Sequence, residues 1–173
     1  IMKYDHFWLS DTPDVIASAT WGHSNRRMVT WILFRDKKTN KQFYFWNTHF
    51  DHRVQPAREK SAILVNKKVS ELKTKLPVLL VGDFNATAKM NKVYDILVND
   101  GGFKDTLLSA TKAINSEWNT MNGFRPTQKG TRRIDWVLSK GPVNISEAEI
   151  VLFDNNKQYP SDHQPVSATV SLD

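Results

Sequence analysis

Cysteine is absent from the 173 residues, which excludes disulfides, thiolate metal ligands and a cysteine nucleophile within this chain. Glycine and proline number seven each and form no linker or low-complexity cluster, and no internal repeat is present. No apolar run approaches the roughly 20 residues of a membrane-spanning helix. No signal peptide is visible at Ile1, where the chain opens on a mixed, half-apolar segment, and the sequence reads as one that starts part-way through a protein. What is present is an excess of Lys and Arg (24) over Asp and Glu (18), a formal charge of +6 that favours an anionic partner such as nucleic acid, a phosphorylated small molecule or an anionic membrane surface. The length suits one domain with a sizeable core.

The organising stretch is LPVLLVGDFN, Leu76–Asn85. Val78 to Val81, bounded by Pro77 and Gly82, read as a fully buried central strand, so Asp83 sits where that strand stops. Asp83 and Asn85 then face one small polar volume or close an Asx turn. Ahead of it, a short strand over the aromatic cluster Tyr4, Phe7 and Trp8 leads to an irregular connection. RMVTWILFR (Arg27–Arg35) and QFYFWNT (Gln42–Thr48) predict a β-hairpin inside a covered sheet, its second strand ending at His49. The spacing of Ala62, Val65, Val69, Leu72 and Leu76 predicts a helix over Pro56–Lys75. A shorter helix is expected at Lys92–Val98, stopped by Gly101-Gly102. Residues Leu108–Arg132, polar and aperiodic, read as a long surface loop. RIDWVL (Arg133–Leu138) alternates as a strand, another lies near Ile145–Phe153, a loop spans Asp154–Asp162, and Pro165–Leu172 has the pattern of a half-exposed strand.

Three positions stand out chemically. Asp135, a carboxylate among bulky apolar neighbours, needs a partner: an ion pair with Arg132 or Arg133, or His163, whose ring it would orient. His49 ends a strand as Asp83 does. The Thr-His-Phe-Asp-His string is also like half of a binuclear zinc motif, but only His6, His23, His49, His52 and His163 exist to complete one. Asp and Asn oxygens suit Mg²⁺ or Mn²⁺ better. Arg27, Arg125, Arg132 and Trp118 are candidates for gripping an anionic, base-containing ligand.

Four segments, Asn47-Thr48-His49-Phe50-Asp51-His52, Gly82-Asp83-Phe84-Asn85-Ala86, Arg133-Ile134-Asp135-Trp136 and Ser161-Asp162-His163-Gln164-Pro165-Val166, resemble in order and spacing the endonuclease/exonuclease/phosphatase superfamily. Phe7-Trp8-Leu9-Ser10-Asp11-Thr12-Pro13 and the Arg27-to-Trp31 segment look like a bacterial branch of it. The resemblance implies a deoxyribonuclease I-like four-layer α/β sandwich of two mostly antiparallel sheets flanked by helices, with residues 1–173 supplying its C-terminal portion. An earlier portion, carrying an Asn motif and a metal-binding Glu, has no match here. By resemblance the chemistry is Mg²⁺-dependent (or Mn²⁺-dependent) hydrolysis of a phosphodiester or phosphomonoester. Asp83 would activate water and Asn85 hold it. His49 and His163 would contact the phosphate, Asp135 would orient His163, Asp162 would lie at the metal, and Arg27, Trp118 and Asn122 would bind substrate. Nucleic acid is the favoured substrate. Phosphoinositide or sphingomyelin head groups, and an inactive binding module, are the alternatives. A sandwich lacking strands is expected to bare an apolar face to a partner chain or a second copy.

Overall fold

The computed structural model describes residues 1–153, 156 and 158–172; part of the loop expected over 154–162 lies outside the described residues. The first strands are β1 (Lys3–Trp8), β2 (Met28–Arg35) and β3 (Gln42–His49). β2 and β3 form the expected antiparallel hairpin, pairing Val29 with Thr48 and Arg35 with Gln42. Its turn is closed by Asp36, whose carboxylate accepts from the Lys38 amide at 2.8 Å.

Helix α1 (Gln55–Glu71) crosses over to β4 (Val78–Asp83), which lies parallel to β3. Pro56 sits in its first turn as expected, and Asp51 Oδ1 accepts the Arg53 and Val54 amides just before it, at 2.8 and 2.7 Å. The helix ends four residues before the Lys75 its periodicity suggests, because Lys73 turns to φ 46° and breaks the ladder ahead of Pro77. Ala62, Val65 and Val69 are buried as the spacing requires, and Leu72 is half-buried against the same core.

Helix α2 (Lys92–Tyr94) continues into a wide π-helical turn over Asp95–Asp100, where Asn66 Nδ2 donates to the Ile96 carbonyl at 2.6 Å. β5 (Lys104–Asp105) and α3 (Thr106–Ser109) follow, then β6 (Lys112–Ile114), β7 (Asp135–Lys140), β8 (Val143–Ile150) and β9 (Val166–Leu172). The region expected to be loop therefore holds the end of α3 and all of β6. Three residues carry no readable alternation, and β6 exists because β8 supplies its parallel partner.

The strands make a six-stranded sheet, β1-β2-β3-β4-β7-β5, and a three-stranded sheet, β6-β8-β9. Side chains alternate along β4: Val78 and Leu80 face α1 and the main core, whereas Leu79 packs with Phe43, Phe45, Val143, Ile145 and Val170 between the sheets. Phe84 stacks on Trp136 at 4.4 Å between ring centroids and meets Phe50 edge-on, so the main core runs up to the end of the sheet where β3 and β4 stop. Towards the other end, the space between the sheets opens into a groove of about 1060 Å³ lined by Ile32, Phe34, Phe43, Phe45, Val170 and Leu172, an apolar surface of the kind the sequence led us to expect.

Beneath β7 lies a buried polar network. Arg133 forms a two-pronged pair with Asp105, and Tyr94 donates to Asp105 Oδ2 at 2.9 Å. Arg133 therefore does not partner Asp135. Burial, reinforced by the Asp105 charge and hydrogen bond and opposed by Arg133, raises the Tyr94 phenol above its ordinary range. A phenol whose pKa is higher folded than unfolded leaves stability intact below about pH 10 and removes it as pH rises further. Thermal melts from pH 9 to 11.5 should thus show a steeper alkaline loss for the wild-type chain than for Tyr94→Phe. Superimposable alkaline limbs would assign the loss to other groups.

Candidate active site

Parallel pairing of β3 with β4 sets His49 opposite Asp83, and antiparallel pairing of β4 with β7 sets Asp83 opposite Asp135. Three chemically active side chains thus end up on adjacent strands at one end of the sheet. His49 Nε2 lies 3.2 Å from Asp83 Oδ2. Asn85, in the left-handed region at φ 48°, turns its amide Nδ2 to His49 Nε2 at 3.1 Å and to the Phe50 carbonyl at 3.1 Å. Asp83 Oδ1 accepts the Asn85 backbone N–H at 2.8 Å. Both sequence readings of Asp83 therefore hold at once: one oxygen closes an Asx turn, and the other meets His49.

His163 reaches the same place from the segment before β9, its Nδ1 2.8 Å from Asp135 Oδ2. A carboxylate on Nδ1 leaves Nε2 as the atom for a substrate. Asp83 and Asp135 have side chains only 16% and 14% exposed, and they form one wall of a cleft of about 520 Å³ that Asn47, Val81, Val137 and Gln164 also line. Burial alone would raise the Asp83 pKa. The His49 hydrogen bond, the Asn85 amide and the charges of His49 and His163 outweigh it, and the carboxyl is held below its ordinary range. The Asp135 hydrogen bond, opposed by burial and aided by the charges of Asp135, Asp83 and Asp162, raises His163.

Among the described residues, Asp83, Asp135 and His163 bring one ligand atom each within 4.8 Å of one another. Asp162 is not in that group. Its carbonyl accepts the amides of Asn122 and Gly123 at 2.8 and 2.9 Å, and its carboxylate acts on His163 through charge.

The expected substrate residues divide. Asn122 sits beside Asp162, with its Oδ1 accepting the Phe124 amide at 2.7 Å. Arg27 precedes β2 at the His49 end of the sheet, half-buried. Trp118 packs against Leu107, Ala148 and Ile150 with Lys129 over its ring, so it serves the second sheet's core as well as the surface. Arg125 and Arg132 are exposed. Two residues at the site escaped sequence reasoning: Asn47, legible only as part of its motif, and Thr120, for which the sequence carries no signal.

A family model for the Endonuclease/Exonuclease/phosphatase family matches residues 5–163. The chain belongs to that family. An endonuclease/exonuclease/phosphatase family protein from Bacteroides thetaiotaomicron superposes with a TM-score of 0.91 at 32% identity over 100% of this chain and 64% of its own. A mannosyl-6-phosphatase from the same organism superposes at 0.90 with 31% identity, covering 99% of this chain and 67% of its own. An uncharacterized protein of Acanthamoeba polyphaga mimivirus is 32% identical over 96 residues, 54% of this chain and 35% of that protein. The chain thus spans about two thirds of these solved structures and a smaller part of the viral protein. The likeness establishes the α/β sandwich of two sheets with helices, and the family is one of phosphoester hydrolases.

Proposed function

We propose that the intact protein is a divalent-cation-dependent phosphoester hydrolase, of which this chain is the later part of a single catalytic domain. The observation that carries the reading is the presence of two carboxylate–imidazole pairs, His49–Asp83 and Asp135–His163, on neighbouring strands, with both carboxylates lining one cleft. Asp83, ionised at neutral pH, accepts a proton from water as the water oxygen bonds to phosphorus opposite the leaving oxygen. The bond to the leaving oxygen breaks, and the alcohol departs with a proton from solvent. Asn85 orients that water or a phosphate oxygen. His163, with its raised pKa, donates from Nε2 to a non-bridging oxygen where negative charge grows, and the imidazole of His49, its Nε2 turned to Asp83, flanks the phosphate from the other side.

The donor set suits a hard cation, because clustered carboxylate oxygens match Mg²⁺ or Mn²⁺ chemistry. Asp135 would hold the ion with Asp162 nearby, leaving Asp83 as the base, and a bound cation would supply Lewis-acid stabilisation of the phosphoryl charge.

Similarity to a mannosyl-6-phosphatase supports a phosphomonoester of a small hydroxylated molecule as substrate. The +6 charge supports nucleic acid as the second reading. The deciding experiment offers a sugar 6-phosphate, bis-p-nitrophenyl phosphate, plasmid DNA and phosphoinositide vesicles to this chain and to any longer native form, with Mg²⁺, Mn²⁺ or EDTA. Cation-dependent hydrolysis that EDTA abolishes is expected. Failure of every form to cleave any of these esters would remove the hydrolase reading and leave a binding module.

A further inference from the structure

β7 is paired along its whole length with β4 on one side, but on the other β5 reaches only Leu138 and Ser139. The start of β7, where Asp135 must be held, would therefore present unpaired amides. Thr120 closes them. Its Oγ1 accepts the Ile134 N–H at 3.0 Å and the Asp135 N–H at 3.2 Å, and the residue is fully buried. Its backbone extends the tie in both directions: the Thr120 N–H donates to the Arg132 carbonyl at 3.1 Å, and its carbonyl accepts the Gln164 N–H at 2.6 Å. The next residue, Met121, forms a bridge to His163. One threonine thus spans the strand that carries Asp135 and the segment that carries His163, two residues 28 apart in sequence that meet in the Nδ1–carboxylate hydrogen bond.

We infer that Thr120 is a positioning residue that holds the Asp135 carboxylate against His163 Nδ1, acting on the proposed hydrolysis through that pair; its effect on turnover rests on the hydrolase reading, while its effect on geometry does not. A hydroxyl offers two lone pairs, and Thr120 spends both on adjacent amides. Valine has the same shape without the acceptor, so Thr120→Val leaves one buried and one half-buried N–H unpaired beside the site and lets the start of β7 move. Displacements of about 1 Å at such a centre cost on the order of 100-fold in rate.

The test compares wild type, Thr120→Val, Thr120→Cys and Thr120→Ser in the protein of native length. The first readout is the ¹⁵N-coupled imidazole spectrum of His163, which reports the Nδ1–H bonded to a carboxylate with no need of activity. Thr120→Val should lose or broaden that signal while circular dichroism stays native, Thr120→Cys should weaken it, and Thr120→Ser should restore it. In steady-state kinetics, kcat should fall at least about tenfold for Thr120→Val with KM changed less than about twofold, and Thr120→Ser should recover most of it. If Thr120→Val does not fold, the Cys-to-Ser comparison decides. A wild-type His163 signal in folded Thr120→Val, or in Thr120→Cys, overturns the proposal. A responsive signal in a protein that hydrolyses no ester keeps the positioning role and removes the hydrolase reading instead.

Discussion

Asp83→Asn in the protein of native length should lower phosphoester turnover by about 10²–10⁴-fold with little change in melting temperature. Asparagine retains the oxygen that accepts the Asn85 amide, so the Asx turn at the end of β4 survives. What it cannot do is take a proton from water or present a negative charge to His49 across 3.2 Å. The loss should therefore appear in kcat, with substrate affinity largely kept. Initial rates and thermal melts on the same preparation check this. Turnover within a few-fold of wild type would show that another group activates water and would dismantle the mechanism above.

Gly82→Ala should be the most damaging of the glycine-to-alanine changes. Gly82 has φ +148°, and a Cβ placed there would come within 1.9 Å of the Thr48 carbonyl oxygen and 2.9 Å of its carbon. Both obstacles are backbone of the neighbouring strand, so no rotamer change relieves them. The strands must separate, at a stability cost of roughly 3–5 kcal/mol, in the range of severe core disruptions. Thr48 pairs with Gly82 and His49 with Asp83 in one parallel ladder, so the same displacement pulls His49 from Asp83. Urea denaturation should show a midpoint drop without a matching change in slope. A native midpoint would mean that β3 and β4 tolerate a separation the close approach argues against.

The site was legible from the sequence to the extent that chemistry clashed with its surroundings. Asp135 drew attention because a carboxylate in RIDWVL has no business among Ile134, Trp136 and Leu138 unless something partners it, and that something is His163 rather than either arginine offered as the alternative. Asp83 and His49 were legible because each ends a strand. Asp162 was placed at the metal by resemblance, and its carboxylate is not among the three groups whose ligand atoms converge. Trp118 reads in sequence as a stacking platform, and that it also packs against Leu107, Ala148 and Ile150 was not legible there, because those neighbours are distant in sequence.

Strand identity, the hairpin, the crossover helix and the polar ends of β3 and β4 came from sequence by itself, because period-two alternation, helical spacing and bounding Gly and Pro residues are local properties. The existence of β6, the Arg133–Asp105–Tyr94 network and the place of Thr120 were decided only by tertiary structure. Each of these rests on a partner brought near by folding: Asp105 for Arg133, β8 for Lys112–Ile114, and two amides 14 and 15 residues away for the Thr120 hydroxyl. Such pairings are chosen by which buried polar groups remain unsatisfied once the sheets have assembled, a condition that no window of sequence contains.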